Sequence, residues 1–291
     1  MYLDFFKLKE PPFRLTPDPN LLYMTQGHAR VKACMDSCLL TRAGLAVVTG
    51  GAGTGKTTLI RQLLSELDAD VILARIFQTQ LDDVELLQAV LVEFGFKPFK
   101  ARKIELLDML NTFLITSFSQ SQRPLLVIDD AHNLRRVALE EIRLLSGLET
   151  EKEKILQVIL VGQPELDEIL DSPEMEALKQ RIYVRCHLTP LTLTETSAYI
   201  ARRLEIAGAE DPGLFVPETV PVIYKYTGGI PRLINILCDT ALTCAFSAET
   251  PFISCEVLRE AIVELKWLPS KERRPAPAGK AALQAWGTDN I

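Results

Sequence analysis

Three things are missing from this chain of 291 residues. It has no excess of positive charge: 32 Lys and Arg stand against 38 Asp and Glu, a net charge of −6. That balance leaves no global basic field of the kind that drives non-specific binding to nucleic acid. It has no uninterrupted apolar run of the roughly 18 residues that a membrane-spanning helix needs. The opening Met1-Tyr2-Leu3-Asp4-Phe5-Phe6-Lys7 carries an acid and too short an apolar stretch for a secretory signal, so a cytosolic location is expected. Cysteine, finally, has no functional spacing. The six thiols Cys34, Cys38, Cys186, Cys238, Cys244 and Cys255 form no C-x-x-C pair and no zinc pattern. Cys34 and Cys38 lie one helical turn apart, where thiols usually pack in a core.

What remains is the composition of an ordinary globular protein, 47% hydrophobic and 24% charged, long enough for a large α/β domain and a smaller one. Its centre is Gly50-Gly51-Ala52-Gly53-Thr54-Gly55-Lys56-Thr57-Thr58. The apolar strand Leu45-Ala46-Val47-Val48 leads in, and an amphipathic run with Ile60, Leu63, Leu64 and Leu67 on one face leads out. Strand, glycine-rich loop and helix together make G-x-x-x-x-G-K-[ST] a phosphate-binding loop. The glycines let backbone N–H groups converge on phosphate oxygens, and the helix start adds unpaired N–H groups and a positive dipole end. Lys56 is expected on the β- and γ-phosphates and the Thr57 hydroxyl on Mg²⁺.

The first stretch, with Pro11, Pro12, Pro17 and Pro19 among Phe5, Phe6, Phe13 and Tyr23, cannot hold a continuous helix. It is expected to form an extended arm, residues 1–27, packed on the nucleotide core near the base. Strands are predicted over 71–77, 124–129, 155–161 and 182–188, alternating with helices over 28–40, 57–67, 84–94, 104–118 and 139–148. The alternation implies a parallel sheet wound on both faces, with ligands at the carboxyl ends of the strands, over residues 28–190. From Thr192 the strand signal stops. Helices over 194–207, 217–226, 231–246 and 255–265 predict a helical lid, 191–267, and the small, proline-rich stretch 268–291 is expected to be a disordered tail.

Other pieces of a nucleotide site follow. Asp129, at the tip of Leu125-Leu126-Val127-Ile128, is a candidate Mg²⁺ ligand, and Asp130 a candidate to orient the attacking water. Gln163, just past a strand, offers an amide to the γ-phosphate or its water. Arg181 lies just before the last strand and Arg185 within it, and either could stabilise the charge of a neighbouring subunit's γ-phosphate. Arg232, opening a helix after Gly228-Gly229-Ile230-Pro231, is placed to couple lid angle to nucleotide state.

With these residues in view, the sequence resembles the AAA+ ATPases of the general secretion pathway protein A family, which includes pilus-biogenesis and exosortase-locus relatives. The resemblance covers roughly residues 1–266. It rests on the opening hexapeptide with Pro12-Phe13, Thr16-Pro17-Asp18-Pro19, Tyr23 and His28. It continues through the glycine-rich loop, Ile128-Asp129-Asp130-Ala131-His132-Asn133-Leu134, Val161-Gly162-Gln163-Pro164-Glu165-Leu166, Gln180-Arg181-Ile182 and Gly229-Ile230-Pro231-Arg232-Leu233-Ile234-Asn235. It implies Walker A at 50–57, Walker B at Asp129 and Asp130, sensor 1 near Gln163, an arginine finger at Arg181 or Arg185 and sensor 2 at Arg232. It also implies ATP with Mg²⁺ and a homo-oligomer, ring or helical, that drives or gates assembly of an envelope machine such as a secretion system, pilus or polysaccharide exporter. Recruitment to the inner membrane would then run through partner proteins.

Two departures matter. The family's Walker B usually ends Asp-Glu-Ala-Gln, whereas here it reads Asp129-Asp130-Ala131-His132. The shorter acid points to slow hydrolysis or to a switch that mostly holds ATP. Secretion members also often continue into a membrane segment and a peptidoglycan-binding domain, and the short tail favours the stand-alone cytosolic members. An alternative reading is a DNA-binding regulator resembling transposition target-selection ATPases, with Lys97, Lys100, Arg102 and Lys103 as a local basic patch.

Overall fold

The computed structural model describes residues 2–270 apart from 17, 19, 20, 78, 150–152 and 212. In chain order the elements are α1 (Tyr2–Phe5), α2 (Gln26–Leu40), β1 (Leu45–Gly50), α3 (Lys56–Ser65), β2 (Val71–Ile76), α4 (Asp83–Glu93), α5 (Lys103–Ser119), β3 (Arg123–Ile128), α6 (Arg136–Leu145), β4 (Gln157–Gly162), α7 (Pro164–Leu170), α8 (Glu176–Lys179), β5 (Ile182–Leu188), α9 (Leu193–Ile206), α10 (Thr219–Thr227), α11 (Pro231–Ser247) and α12 (Cys255–Glu264). They fall into two compact units, 16–190 and, together, 2–15 with 191–270.

The first unit is a five-stranded sheet in the order β2-β3-β4-β1-β5, with every pairing parallel. Its strands are apolar runs because both faces are covered. Leu45 and Val47, Leu126 and Ile128, and Val158 and Leu160 point into one core with α4, α5 and α6. The alternate residues Ala46 and Val48, Leu125 and Val127, and Ile159 and Val161 point into a second core with α2 and α3. The period of two thus delivers each strand to two separate cores. β5 is the exception: on its outer side Tyr183, Arg185 and His187 remain exposed, so this edge is covered on one face only. Buried thiols in this unit are core groups, as Cys38, 2% exposed, illustrates; burial pushes its pKa up to about 11. Among the described residues no group of three or more His, Cys, Asp or Glu is placed to hold a metal ion.

The second unit is helical. The N-terminal arm divides between the units: residues 2–15 fold with α9–α12, whereas the remainder goes with the sheet. The expectation that the whole of 1–27 packs on the nucleotide core is corrected accordingly. Arg203, on α9 and 5% exposed, is a buried cation that needs acceptors. The carbonyls of Pro12 and Arg14 supply them, and Asn235 donates to Arg14 as well. Phe13, 2% exposed, meets Phe215 edge-on at 5.8 Å, and the Tyr2 hydroxyl donates to Asp239 at 2.8 Å. The arm also opens with a single helical turn, α1, instead of an extended chain. The predicted tail lies largely outside the described residues.

Gly228 and Gly229 both have positive φ, 63° and 74°. A Cβ on Gly229 would sit 1.9 Å from the Leu191 carbonyl oxygen, while Leu191 N–H donates to the Gly229 carbonyl at 2.9 Å. Neither backbone can yield without breaking that bond. Gly229→Ala is therefore expected to destabilise the helical unit by about 3 kcal/mol or more, read as a shifted denaturation midpoint.

Among the described residues, no helix is long and apolar enough to cross a membrane.

Candidate functional site

The parallel sheet brings the carboxyl ends of β1, β4 and β3 side by side, since β4 lies between the other two. Each strand hands its next residues to one rim, where open α/β sheets bind ligands. After β1 the chain turns through the glycine-rich loop. A Cβ on Gly50 would lie 2.6 Å from the Leu188 carbonyl oxygen, so only glycine lets the loop pass this close to β5. Gly55 adopts φ 102° and caps α3 without a side-chain bond, which leaves the first N–H groups of the helix open. Thr54 is buried and donates to the Gly51 carbonyl at 2.9 Å, fixing the turn.

Lys56 is 7% exposed, and its ammonium donates to the carbonyls of Gly50 at 2.7 Å and Gly51 at 2.9 Å. Burial lowers its pKa, opposed by the carboxylates of Asp129, Asp130 and Glu165. A cation so held under an anion-binding loop is neutralised best by an incoming anion. The Thr57 hydroxyl donates to Asp129 Oδ2 at 2.9 Å, and the Asp130 N–H donates to Asp129 Oδ1 at 3.0 Å. The two oxygens of Asp129 are thus oriented from two sides. A hydroxyl and a carboxylate, both hard oxygen donors, are the protein ligands that suit Mg²⁺, which otherwise keeps water and phosphate. Asp130 holds a left-handed backbone, φ 52°, with its carboxylate largely exposed at the rim. Gln163 follows β4 and caps α7.

The structure therefore brings Lys56, Thr57, Asp129, Asp130 and Gln163 together. Thr58, with Thr57, belongs to the first turn of α3, and Ala52 and Gly53 lie in the loop between β1 and α3. The arginines are elsewhere. Arg181 precedes Ile182, which pairs with Leu45 at the start of β1, so it stands at the opposite rim of the sheet. It lies beside Gly147, where an added Cβ would be 2.5 Å from its Nη1. It lines a cleft of about 680 Å³ with Arg143, Glu149, Lys154 and Tyr183. Arg185 is spent within its own unit: it donates to Asp167 Oδ1 at 2.6 Å and to both Asp171 oxygens at 2.9 and 3.0 Å. With Lys179 it holds the Asp171 carboxyl down to about 2. Arg232 is exposed at the start of α11, in the helical unit.

Two histidines at the loop are not obvious from the sequence. His28, 2% exposed, accepts or donates with Thr25 Oγ1 at 2.7 Å, and its Nε2 lies 3.1 Å from where a Gly55 Cβ would be. His132 touches Gln163 at 3.0 Å. Its one sequence signal is its position two residues beyond Asp130. Two of the four cations suggested as a DNA patch serve carboxylates of the protein itself: Lys103 binds Asp83 at 2.7 Å and buried Glu141 at 2.6 Å, and Arg102 binds Glu105 at 2.8 Å.

A five-stranded parallel sheet with a glycine-rich phosphate loop, an acid at the neighbouring strand tip and an associated helical unit defines the AAA+ class of P-loop ATPases. The AAA domain family matches residues 40–170. The chain is similar to General secretion pathway protein A of Aeromonas hydrophila, 40% identical over 248 residues, 85% of this chain and 45% of that protein. The chain thus spans about half the length of this curated relative. Solved structures share the fold. The Aeropyrum pernix ORC2 protein, in its ADPNP-ADP complexes, aligns with a TM-score of 0.65 at 17% identity, covering 88% of this chain and 72% of that one. Drosophila ORC bound to DNA aligns with a TM-score of 0.67 at 15% identity, covering 88% of this chain and 64% of that one.

Proposed function

We propose that the protein binds and hydrolyses Mg-ATP between copies of itself and uses the nucleotide state to drive or gate assembly of an envelope machine: a secretion system, a pilus or a polysaccharide exporter. The observation that carries this reading is the junction of loop and strand tip, where Lys56 is buried under the loop carbonyls and Thr57 is bonded to Asp129. The likeness to General secretion pathway protein A supports the envelope setting.

In this reading Lys56 exchanges its two loop carbonyls for the phosphates, and Thr57 and Asp129 hold Mg²⁺. Held there, Mg²⁺ would supply neutralisation of the phosphate charge. Asp130 orients the attacking water, and the Gln163 amide meets the γ-phosphate or that water. Arg181 is the residue offered to a neighbour's γ-phosphate, because the carboxylates of Asp167 and Asp171 already occupy Arg185. The uncovered face of β5 and the cleft beside Arg181 give a second copy a surface to meet. Arg232 reports the nucleotide to the helical unit. DNA binding is not part of the proposal, since two of the four loop cations already serve the protein's own carboxylates.

Because the finger belongs to another subunit, ATPase rate per volume should rise more steeply than linearly with protein concentration. Strictly linear turnover by a monomer contradicts the reading. A second expectation concerns Asp130, one methylene short of glutamate. Misplacement of about 1 Å at a reacting centre costs on the order of 10²-fold, so Asp130→Glu is expected to raise kcat by about tenfold. A fall in kcat would show that the rim is built for the shorter acid.

A further inference from the structure

β4 ends at Gly162, and the next backbone N–H, that of Gln163, has left the ladder; Gln163 is extended at φ −83°, ψ 171° and Pro164 opens α7 behind it. A backbone donor at such a place needs an acceptor. His132 provides it: the Gln163 N–H donates to Nδ1 at 3.4 Å, and the same ring places its Nε2 3.0 Å from the Gln163 side-chain Nε2. The imidazole is 11% exposed and sits on the turn Ala131–Asn133, whose Ala131 is fully buried. One ring therefore grips Gln163 at both its backbone and its side chain.

The two contacts are not independent. A backbone N–H cannot be turned round, so it makes Nδ1 the acceptor. A neutral imidazole with Nδ1 accepting carries its proton on Nε2. A side-chain amide can be turned round, its oxygen and nitrogen exchanging places. The Gln163 nitrogen at the ring would meet an Nε2–H donor to donor, so the amide settles turned round, with its carbonyl oxygen toward the ring. The NH2 end is then the free end.

We propose that His132 is a positioning residue for ATP hydrolysis, which through these two bonds orients the Gln163 amide so that it presents a donor and not an acceptor. The proposal rests on the reading of Gln163 as the amide beside the γ-phosphate. A carbonyl oxygen offered to that phosphate would repel it, whereas an NH2 would donate to it. Without the ring both amide orientations are accessible, and the loss falls on the chemical step more than on nucleotide binding, which Lys56 and the loop carry.

The test uses the full chain with ¹⁵N-labelled histidine, which gives only three imidazoles to distinguish. His132 is expected as the Nε2–H tautomer, with its ring nitrogens shifted by Gln163→Ala. In steady-state turnover, His132→Ala is expected to lower kcat about tenfold, leaving KM and equilibrium Mg-ATP affinity within about twofold. His132→Gln, which keeps one acceptor and one donor, should recover most of that loss. An Nδ1–H tautomer, a ring indifferent to Gln163→Ala, or an unchanged kcat in His132→Ala would each overturn the proposal. If His132→Ala does not fold, the tautomer and its response to Gln163→Ala still decide the matter on folded proteins. Failure of the native protein to bind Mg-ATP would overturn the functional reading itself, and is separable because binding is measured apart from the tautomer.

Discussion

Lys56→Ala is expected to weaken Mg-ATP binding by on the order of 10²-fold or more and to remove measurable hydrolysis. The ammonium is buried and bonded to two loop carbonyls at 2.7 and 2.9 Å, so it is already held at the loop where the phosphates are proposed to sit. In the bound state it would make charge-assisted bonds to phosphate, and losing two of these at about 1.5–3 kcal/mol each accounts for that factor. The fold should survive, because the carbonyls of Gly50 and Gly51 lie at a loop where water can replace the ammonium. Isothermal titration with Mg-ATP, alongside a thermal melt, separates the two effects. Affinity within about twofold of the native protein would remove Lys56 from the phosphate site.

Arg181→Ala carries the second large effect, of a different kind. Affinity for Mg-ATP is expected to hold while kcat falls on the order of 10³-fold, the scale seen when an arginine finger is withdrawn. Arg181 stands at the rim opposite its own loop, and so acts on a neighbour or not at all. Arg185→Ala should behave otherwise. It breaks the clamp from β5 to Asp167 and Asp171, so its first consequence is loosened packing of α7 and a lower melting temperature. A profile in which Arg185→Ala retains stability and loses turnover, with Arg181→Ala indifferent, would exchange the two roles.

Much of this site is legible in the sequence, because its parts are local. Lys56 and Thr57 follow an apolar strand into a helix, and Asp129 ends another apolar strand; both placements depend on residues within a few positions, and both strands form where the apolar runs predict them. What escapes the sequence is non-local. The arm's aromatics announce burial but not the partner, which is set by a buried guanidinium at Arg203, far along the chain, in want of carbonyl acceptors. Arg181 and Arg185 look equivalent four residues apart; only the carboxylates of Asp167 and Asp171, brought by α7, tell them apart. α7 itself is seven residues long, too short for a clear period. His132 looks like a substitution in a motif until the end of β4 is seen to need its nitrogen. Likewise Lys103, a surface cation in the sequence, is the counter-ion of a glutamate only 2% exposed.

The central claim, that a phosphate pocket on one copy is completed by a second copy, is tested most directly by mixing two inactive proteins. Lys56→Ala lacks the proposed phosphate contact but keeps Arg181; Arg181→Ala lacks the proposed finger but keeps Lys56. In an equimolar mixed assembly about a quarter of the interfaces pair an intact loop with an intact finger. The mixture is expected to hydrolyse ATP well above either component alone. Activity equal to the mean of the two inactive proteins, at concentrations where the native protein is assembled and active, would contradict it.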